Sequence, residues 1–327
     1  MSETSLIRRA VLTGTGSYLP AQVVTNDDMA KRVDTSDEWI TERTGIKQRH
    51  FAAAHETASF MGAEAGRQAL NAAGLAPEAL GAIIVGTSTP DNAFPATAVQ
   101  IQAALGASKA FGFDLAAACS GFIYGLSVAD AMIRTGQVDS VLVIGSEVYS
   151  RILNFEDRGT CVLFGDGAGA VLLQARDVAK GGAGLLSTHL HSDGRLGDIL
   201  YVDGATGRCE MTGHLVMNGR EVFRHAVSLL ASAVTEALSA NGLAASDIDF
   251  LVPHQANKRI IDGVGKKLGL PPERVVVTVD KHANTSAASI PLALHAAIAD
   301  GRIKPGALVL LEALGGGLTW GSAVLRM

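Results

Sequence analysis

The chain has 327 residues, 48% hydrophobic and 18% charged, with 37 glycines, where an ordinary soluble domain carries roughly 25% charged residues and about 7% glycine. That balance excludes a disordered chain and predicts extensive burial, extending to a subunit interface. A formal charge of −5 gives no electrostatic case for nucleic acid, and the length allows about two domains.

Met1–Leu12 carries Arg8 and Arg9 without the apolar stretch of a secretory signal. GTGS at 14–17 and GDGAG at 165–169 lack the full dinucleotide-binding spacing with its later acid, so neither predicts a nucleotide site. Residues 67–86, RQALNAAGLAPEALGAIIVG, align without a gap on 235–254, TEALSANGLAASDIDFLVPH, at an offset of 168 residues. Each copy reads as a helix stopped by glycine, a polar connection and a buried strand. Val141–Ile144 echoes Ala307–Leu310, and Ala170–Leu172 echoes Ala323–Leu325, in the same order along the chain. The repeat predicts an α/β chain of two duplicated halves, 1–175 and 176–327, sharing one core.

After Asp114 come small residues and then a segment apolar on nearly every face up to Ile133, with Gly136 as a stop. Such a segment reads as a buried helix with Cys119 near its start. Its uncharged stretch, Leu115–Ala129, is shorter than the roughly 20 residues a membrane span needs. A helix N-terminus lowers a thiol's pKa, which makes Cys119 a candidate nucleophile. Cys161, in the apolar CVLFG segment read as a strand, and Cys209, in a polar loop, read as structural or incidental. Three cysteines in a long chain predict reduced thiols and a cytoplasmic protein.

His254 follows a buried strand, and Asn284 follows VVVTVD, read as another strand; strand ends are where sites form in α/β sheets. His282, in a loop beside Lys281, reads as structural. Gly315–Gly317 allows close backbone approach and aims N–H groups at a developing oxyanion. No metal-binding spacing is present.

GTGSYLP, DTSDEWI, ERTGI, AFP, DLAAACSGF, LFGDGAGA, VPHQAN, HANTSAAS and GGGLTWGSA run in order nearly end to end. With them the chain resembles the β-ketoacyl-acyl-carrier-protein synthase III family of the thiolase superfamily. The resemblance implies a thiolase-like five-layered αβαβα fold of two duplicated βαβαβαββ halves. It implies that Cys119 takes an acyl group, acetyl foremost, from acyl-CoA. His254 and Asn284 would then assist decarboxylation of malonyl-acyl-carrier protein, with the Cys119 and Gly316 N–H groups as oxyanion hole. His254 must be neutral for that role. No cofactor beyond the coenzyme A thioester substrate is implied.

By the same resemblance Trp39 and Arg158 sandwich the coenzyme A adenine, with Arg43 and Asn257 nearby. Phe94 closes the acyl pocket of a homodimeric partner, and Arg224, Arg259, Lys266 and Lys267 form a basic face for the acidic carrier protein. Leu314 and Leu318 stand where the family often has Phe, which leaves primer length open, and the segment 200–215 matches no motif. The rival readings are a paralogous condensing enzyme of secondary metabolism, a cysteine hydrolase and a non-catalytic acyl-carrier scaffold.

Overall fold

A computed structural model of the protein describes residues 6–205 and 213–327, so Cys209 and most of the 200–215 segment's centre lie outside the described residues. The long strand β1 (Leu6–Tyr18) opens the chain. A hairpin of β2 (Gln22–Thr25) and β3 (Gln48–Phe51) follows, with α1 (Asn26–Ala30) and α2 (Asp37–Thr44) between its arms. Helix α3 (Ala58–Ala73) leads to β4 (Ala82–Gly86), α4 (Thr97–Leu105), β5 (Phe111–Leu115) and α5 (Gly121–Arg134). Strands β6 (Ser140–Val148) and β7 (Asp166–Ala179) complete a five-stranded mixed sheet in the order β1-β7-β6-β4-β5.

The chain then passes to a second mixed sheet through β8 (Gly184–Ser192), a hairpin of β9 (Leu200–Val202) and β10 (Leu215–Met217), and α6 (Gly219–Asn241). Strand β11 (Phe250–Pro253), α7 (Lys258–Lys267), α8 (Val279–His282) and α9 (Ser289–Ala299) precede β12 (Leu308–Gly315) and β13 (Thr319–Arg326). The second sheet runs β11-β12-β13-β8. The parallel pairs β4-β6 and β11-β12 are mostly aliphatic and, apart from Phe250, buried along their length, as a sheet covered on both faces requires.

The two aligned segments behave alike. Helix α3 starts at the Thr57 cap and stops at Gly74, φ 65°; α6 starts at Asn218 and stops at Gly242, φ 65°. Both glycines take the left-handed conformation that other residues resist. Strand register tests the weaker echoes. Ile83 lies beside Leu142 in the first sheet, and Leu251 beside Leu310 in the second, so the offset of 168 carries across to β12. The sequence match of Val141 with Ala307 is therefore out of step by two residues, a slip that keeps every side chain on its face. Leu172 lies opposite Leu142, whereas Val324 lies opposite Leu310, so Val324 rather than Leu325 is the counterpart of Leu172. That one-residue slip is invisible in sequence because both strands are buried on both faces.

Two strand readings are corrected. VVVTVD reduces to a single parallel bridge from Val275 to Leu251, followed by α8. Cys161 lies in a turn rather than a strand, although it is fully buried as a structural cysteine should be.

Three hydrophobic cores alternate with the sheets. One joins α3 and α4 to Ile83, Val85, Leu142 and Ile144 of the first sheet. A second holds Phe122, Ile123 and Leu126 of α5 and Ile290, Ala293 and Leu294 of α9 between strands of both sheets. The third packs α6 and α7 on Leu251, Leu308, Leu310 and Val324 of the second sheet. Helix α5 is thus as buried as its all-round apolar sequence predicts. Among the described residues no helix is long and apolar enough to cross a membrane.

Candidate active site

Strand β5 delivers Cys119 into a single tight turn, Ala118–Ser120, that runs straight into α5. Ala118 has φ 44°, a conformation that costs a non-glycine residue free energy and recurs at functional sites. At the offset of 168, Ala118 corresponds to Ser286 and Cys119 to Ala287. Ser286 shares the positive φ, 50°, and its turn, Ser286–Ala288, runs into α9 in the same way. The two turns pack against each other where the sheets' central strands end.

Glycines make that approach possible. A Cβ on Gly315 would lie 2.6 Å from the Cys119 nitrogen, and one on Gly145 would lie 2.2 Å from the Ala287 oxygen. The bonds of the Cys119 turn run to the Ala117 oxygen from the Ser120 nitrogen (3.1 Å) and hydroxyl (2.7 Å), which leaves the Cys119 N–H unused by the turn.

Cys119 is only 5% exposed. The expected lowering of its pKa by the helix end is overturned: burial pushes the thiol up to about 12, and the Glu147 carboxyl adds to the rise. The Ser286 hydroxyl opposes it more weakly. A short turn's partial charge does not offset the loss of water around a sulfur anion. The resting side chain is therefore the protonated thiol.

His254 stands at the end of β11, where its N–H donates to the Glu312 oxygen at 2.8 Å. Gln255 fastens this strand end: its amide donates to the Pro253 and Val276 oxygens, while its Oε1 accepts from the Thr278 and Val279 nitrogens. Burial pushes the imidazole down to about 3, so it is neutral. Its Nδ1 lies 2.6 Å from Ser289 Oγ, which also accepts the Gln255 N–H at 3.3 Å. That bonding network assigns the hydroxyl proton to Nδ1 and the ring proton to Nε2.

Asn284 is pinned by its backbone, donating to the Leu163 oxygen and accepting from the Gly165 nitrogen, both at 3.0 Å. Its Oδ1 accepts the Ser286 N–H at 2.9 Å, which turns the amide NH2 the other way.

Cys119, His254, Asn284 and Gly316 line one cavity of about 670 Å³. Trp39, Arg43, Asn257 and Arg259 line it too, with Val222, Ala226 and Leu230 of α6 and Leu200 and Leu215 of the short hairpin. The structure thus places both ends of the 200–215 segment, which matched no motif, in the cavity wall. Of the two leucines beside the glycines, Leu314 lines the cavity, whereas Leu318 is fully buried in the core behind it.

The Arg158 guanidinium sits 5.1 Å from the Trp39 ring centre, and Arg43 sits 4.7 Å from it. A ring stacked between Trp39 and Arg158 needs roughly 7 Å, two contacts of about 3.5 Å each. Arg158 also donates to the Asp34 oxygen at 2.9 Å. It must swing away to admit a heterocycle. Asn257 caps α7 and donates to the Arg43 oxygen at 3.1 Å, tying α7 to α2.

Phe94 lies outside the cavity and is 86% exposed. Arg259 lies 5.9 Å from the Phe223 ring, and the neighbouring Arg224 pairs with Glu221. Lys266 and Lys267 are two turns along α7 from Arg259, on its face. His282 is half-buried and lies outside the cavity. Sequence reasoning missed Ser289, Ser286 and Glu147; the first two stand in the HANTSAAS motif, where they passed as small filler.

Comparisons with known proteins give the family. Residues 113–194 match the family model for 3-oxoacyl-[acyl-carrier-protein (ACP)] synthase III, and residues 238–327 match that for its C-terminal part. The chain is 70% identical over 320 residues to the β-ketoacyl-[acyl-carrier-protein] synthase III of Acidiphilium cryptum, covering 98% of this chain and 100% of the relative. The crystal structure of 3-oxoacyl-[acyl-carrier-protein] synthase III from Aquifex aeolicus superimposes with TM-score 0.92 at 47% identity, covering 97% of this chain and 100% of that one. A priming β-ketosynthase of the R1128 polyketide pathway gives TM-score 0.92 at 36% identity, covering 100% and 99%. Two mixed sheets and a buried thiol beside a neutral imidazole thus occur in an acyltransferase of the condensing class. The chain belongs to the β-ketoacyl-[acyl-carrier-protein] synthase III family.

Proposed function

We propose that the enzyme initiates fatty acid synthesis by loading an acyl group from acyl-CoA, acetyl-CoA foremost, on Cys119 and condensing it with malonyl-acyl-carrier protein. The convergence of Cys119, His254 and Asn284 on one cavity carries this reading. Attack by sulfur on the thioester carbonyl builds an oxyanion, which the N–H groups of Cys119 and Gly316 hold. Coenzyme A leaves, and covalent storage divides one transfer into two easier steps. Loss of CO2 from the malonyl group then builds an enolate, to which His254 Nε2 and the Asn284 amide donate. The enolate carbon attacks the Cys119 thioester and releases 3-oxoacyl-acyl-carrier protein.

Trp39 and Arg158 grip the adenine once Arg158 has moved, with Arg43 beside them; Asn257 acts by holding the cavity mouth in shape. Arg224, Arg259, Lys266 and Lys267 receive the acidic carrier. The three alternating cores read as five layers, and the matching turns at Cys119 and Ala287 as the centre of two duplicated halves. The halves meet in the turn 180–183, since β7 continues to Ala179. Phe94 and the open edge of β5 are the surface for a second copy of the chain.

Intact-mass measurement after incubation with labelled acetyl-CoA tests the reading. The adduct is expected on Cys119 and is discharged as 3-oxoacyl product by malonyl-acyl-carrier protein. An adduct that only hydrolyses supports a cysteine hydrolase, and no adduct with any acyl-CoA supports a scaffold. Cys119→Ser abolishes loading. His254→Ala and Asn284→Ala load but decarboxylate about 100-fold or more slowly, the usual loss for one such donor; normal decarboxylation in either overturns its assigned role.

A further inference from the structure

Loading requires the protonated Cys119 thiol to give up its proton, and the residues nearest it offer few acceptors. His254 has none to spare, because Nδ1 takes the Ser289 hydroxyl and Nε2 carries the ring proton. Asn284 is an amide whose Oδ1 already accepts the Ser286 N–H. Beneath the thiol, however, lies a buried polar cluster that the reaction as described does not use. The Ser286 hydroxyl and the Glu147 carboxyl both act on the Cys119 thiol, and Ser286 acts on Glu147 in turn. Ser286 Oγ and Glu147 Oε1 are nevertheless buried without an aligned hydrogen bond to any described residue.

The other carboxylate oxygen is held fast. Glu147 Oε2 accepts from the Ser88 nitrogen at 2.9 Å, the Thr89 hydroxyl at 2.7 Å and the Thr87 hydroxyl at 3.3 Å. Three donors on one oxygen fix the carboxyl, so that Oε1 is left for the Ser286 hydroxyl and the Ala287 N–H of the same turn. A buried polar atom left unpaired costs free energy, so such a pair beside a nucleophile calls for a function.

We propose that Glu147 accepts the Cys119 proton during loading, acting through the Ser286 hydroxyl. This rests on the reading that Cys119 is the acylated residue. As the bond from Sγ to the carbonyl carbon forms, the thiol proton passes to Ser286 Oγ and the Ser286 hydroxyl proton passes to Glu147 Oε1. When the carbon–sulfur bond to coenzyme A breaks, the leaving thiolate takes a proton from solvent and Glu147 returns its own to solvent. The balance is acyl-CoA plus thiol giving acyl-enzyme plus free coenzyme A, with no other reactant. Ser286 is a catalytic residue here, since its hydroxyl takes the proton from the reacting sulfur, and Glu147 acts through it.

Burial raises the Glu147 carboxyl to about 7, so near neutral pH it is a stronger base than an exposed carboxylate. The titratable groups around it are Cys119 from the α5 turn and Tyr149 just beyond β6. Across the sheet β7 presents Gly167, and the Ser286–Ala288 turn and the Thr87–Thr89 loop bring only hydroxyls and amides.

The test is the single-turnover rate of acetyl transfer from labelled acetyl-CoA to Cys119, followed by intact mass between about pH 5.5 and 9. Glu147→Gln and Ser286→Ala are expected to slow loading by about 100-fold, in the range a positioned base supplies. They should also remove the rise in rate near neutral pH. Glu147→Asp restores part of the rate and the pH dependence. Decarboxylation of malonyl-acyl-carrier protein, measured in a Cys119→Ala background, is unchanged by Glu147→Gln. Loading by Glu147→Gln at the wild-type rate or faster overturns the proposal, because the carboxylate then only repels the thiolate. Equal losses in loading and decarboxylation also overturn it, as the mark of a structural role. Should Glu147→Gln fail to fold, Ser286→Ala reads the same path. A wild-type enzyme that forms no Cys119 adduct refutes the function itself, a result distinct from these.

Discussion

Around the nucleophile, desolvation outweighs the helix end, and the same balance governs other buried groups. Glu312 is 1% exposed on β12, its Oε2 is without a partner, and burial raises its carboxyl to about 8 from an ordinary 4.5. The folded protein therefore keeps a proton that the unfolded chain releases. Stability contributed by the protonated form is complete below about pH 4.5 and is lost as pH rises toward 8, by at most about 1.4 kcal/mol per pH unit. Glu147 acts in the same direction between about pH 4.5 and 7. Glu312→Gln should flatten the decline of the denaturant midpoint with pH; a slope equal to wild type refutes the assignment. His254 has the opposite sign. Its imidazole, lowered from 6.5 to about 3, contributes stability above pH 6.5 that is lost as the pH falls through that window. None of these shifts was legible in the sequence, because a Glu or Cys letter does not say how much water surrounds it.

At the scale of elements, the glycine-stopped helices α3 and α6 were legible because periodicity and cap act within a few residues. VVVTVD was misread because β propensity does not supply a strand partner: the segment makes one bridge to β11, at Val275, and its next backbone bonds go to the Gln255 side chain. The two tight turns are the elements on which the site depends most. Gly145→Ala would drive a Cβ to 2.2 Å from the Ala287 oxygen and displace the turn that carries Ser286 behind Cys119. The expected result is a loss of roughly 1–3 kcal/mol in stability, the usual cost of overpacking. Loading should fall with it, by about tenfold or more, since small misplacements at a reacting centre are costly. Denaturant titration and the loading assay check the two separately; unchanged loading would show that the turns move independently.

For the whole molecule, β5 ends the first sheet with an open edge, and Phe94 and Phe111 are 86% and 43% exposed. Large exposed aromatics beside an unpaired strand mark an association surface. Phe94→Asp should shift the protein from dimer to monomer in light scattering and weaken acyl loading, while a wild-type monomer overturns that reading. The sequence by itself determined the α/β class, the repeat at 168 and the candidates Cys119, His254, Asn284 and Gly316. Those features are written in local periodicity, in caps and in residue types found together at strand ends. Only the tertiary structure decided that the thiol is protonated at rest and that Ser289 sets the imidazole tautomer. It alone brought Glu147 and Ser286 beneath the nucleophile and laid Arg158 on Trp39. Each of these depends on burial and on contacts between residues far apart in the chain, which no local pattern records.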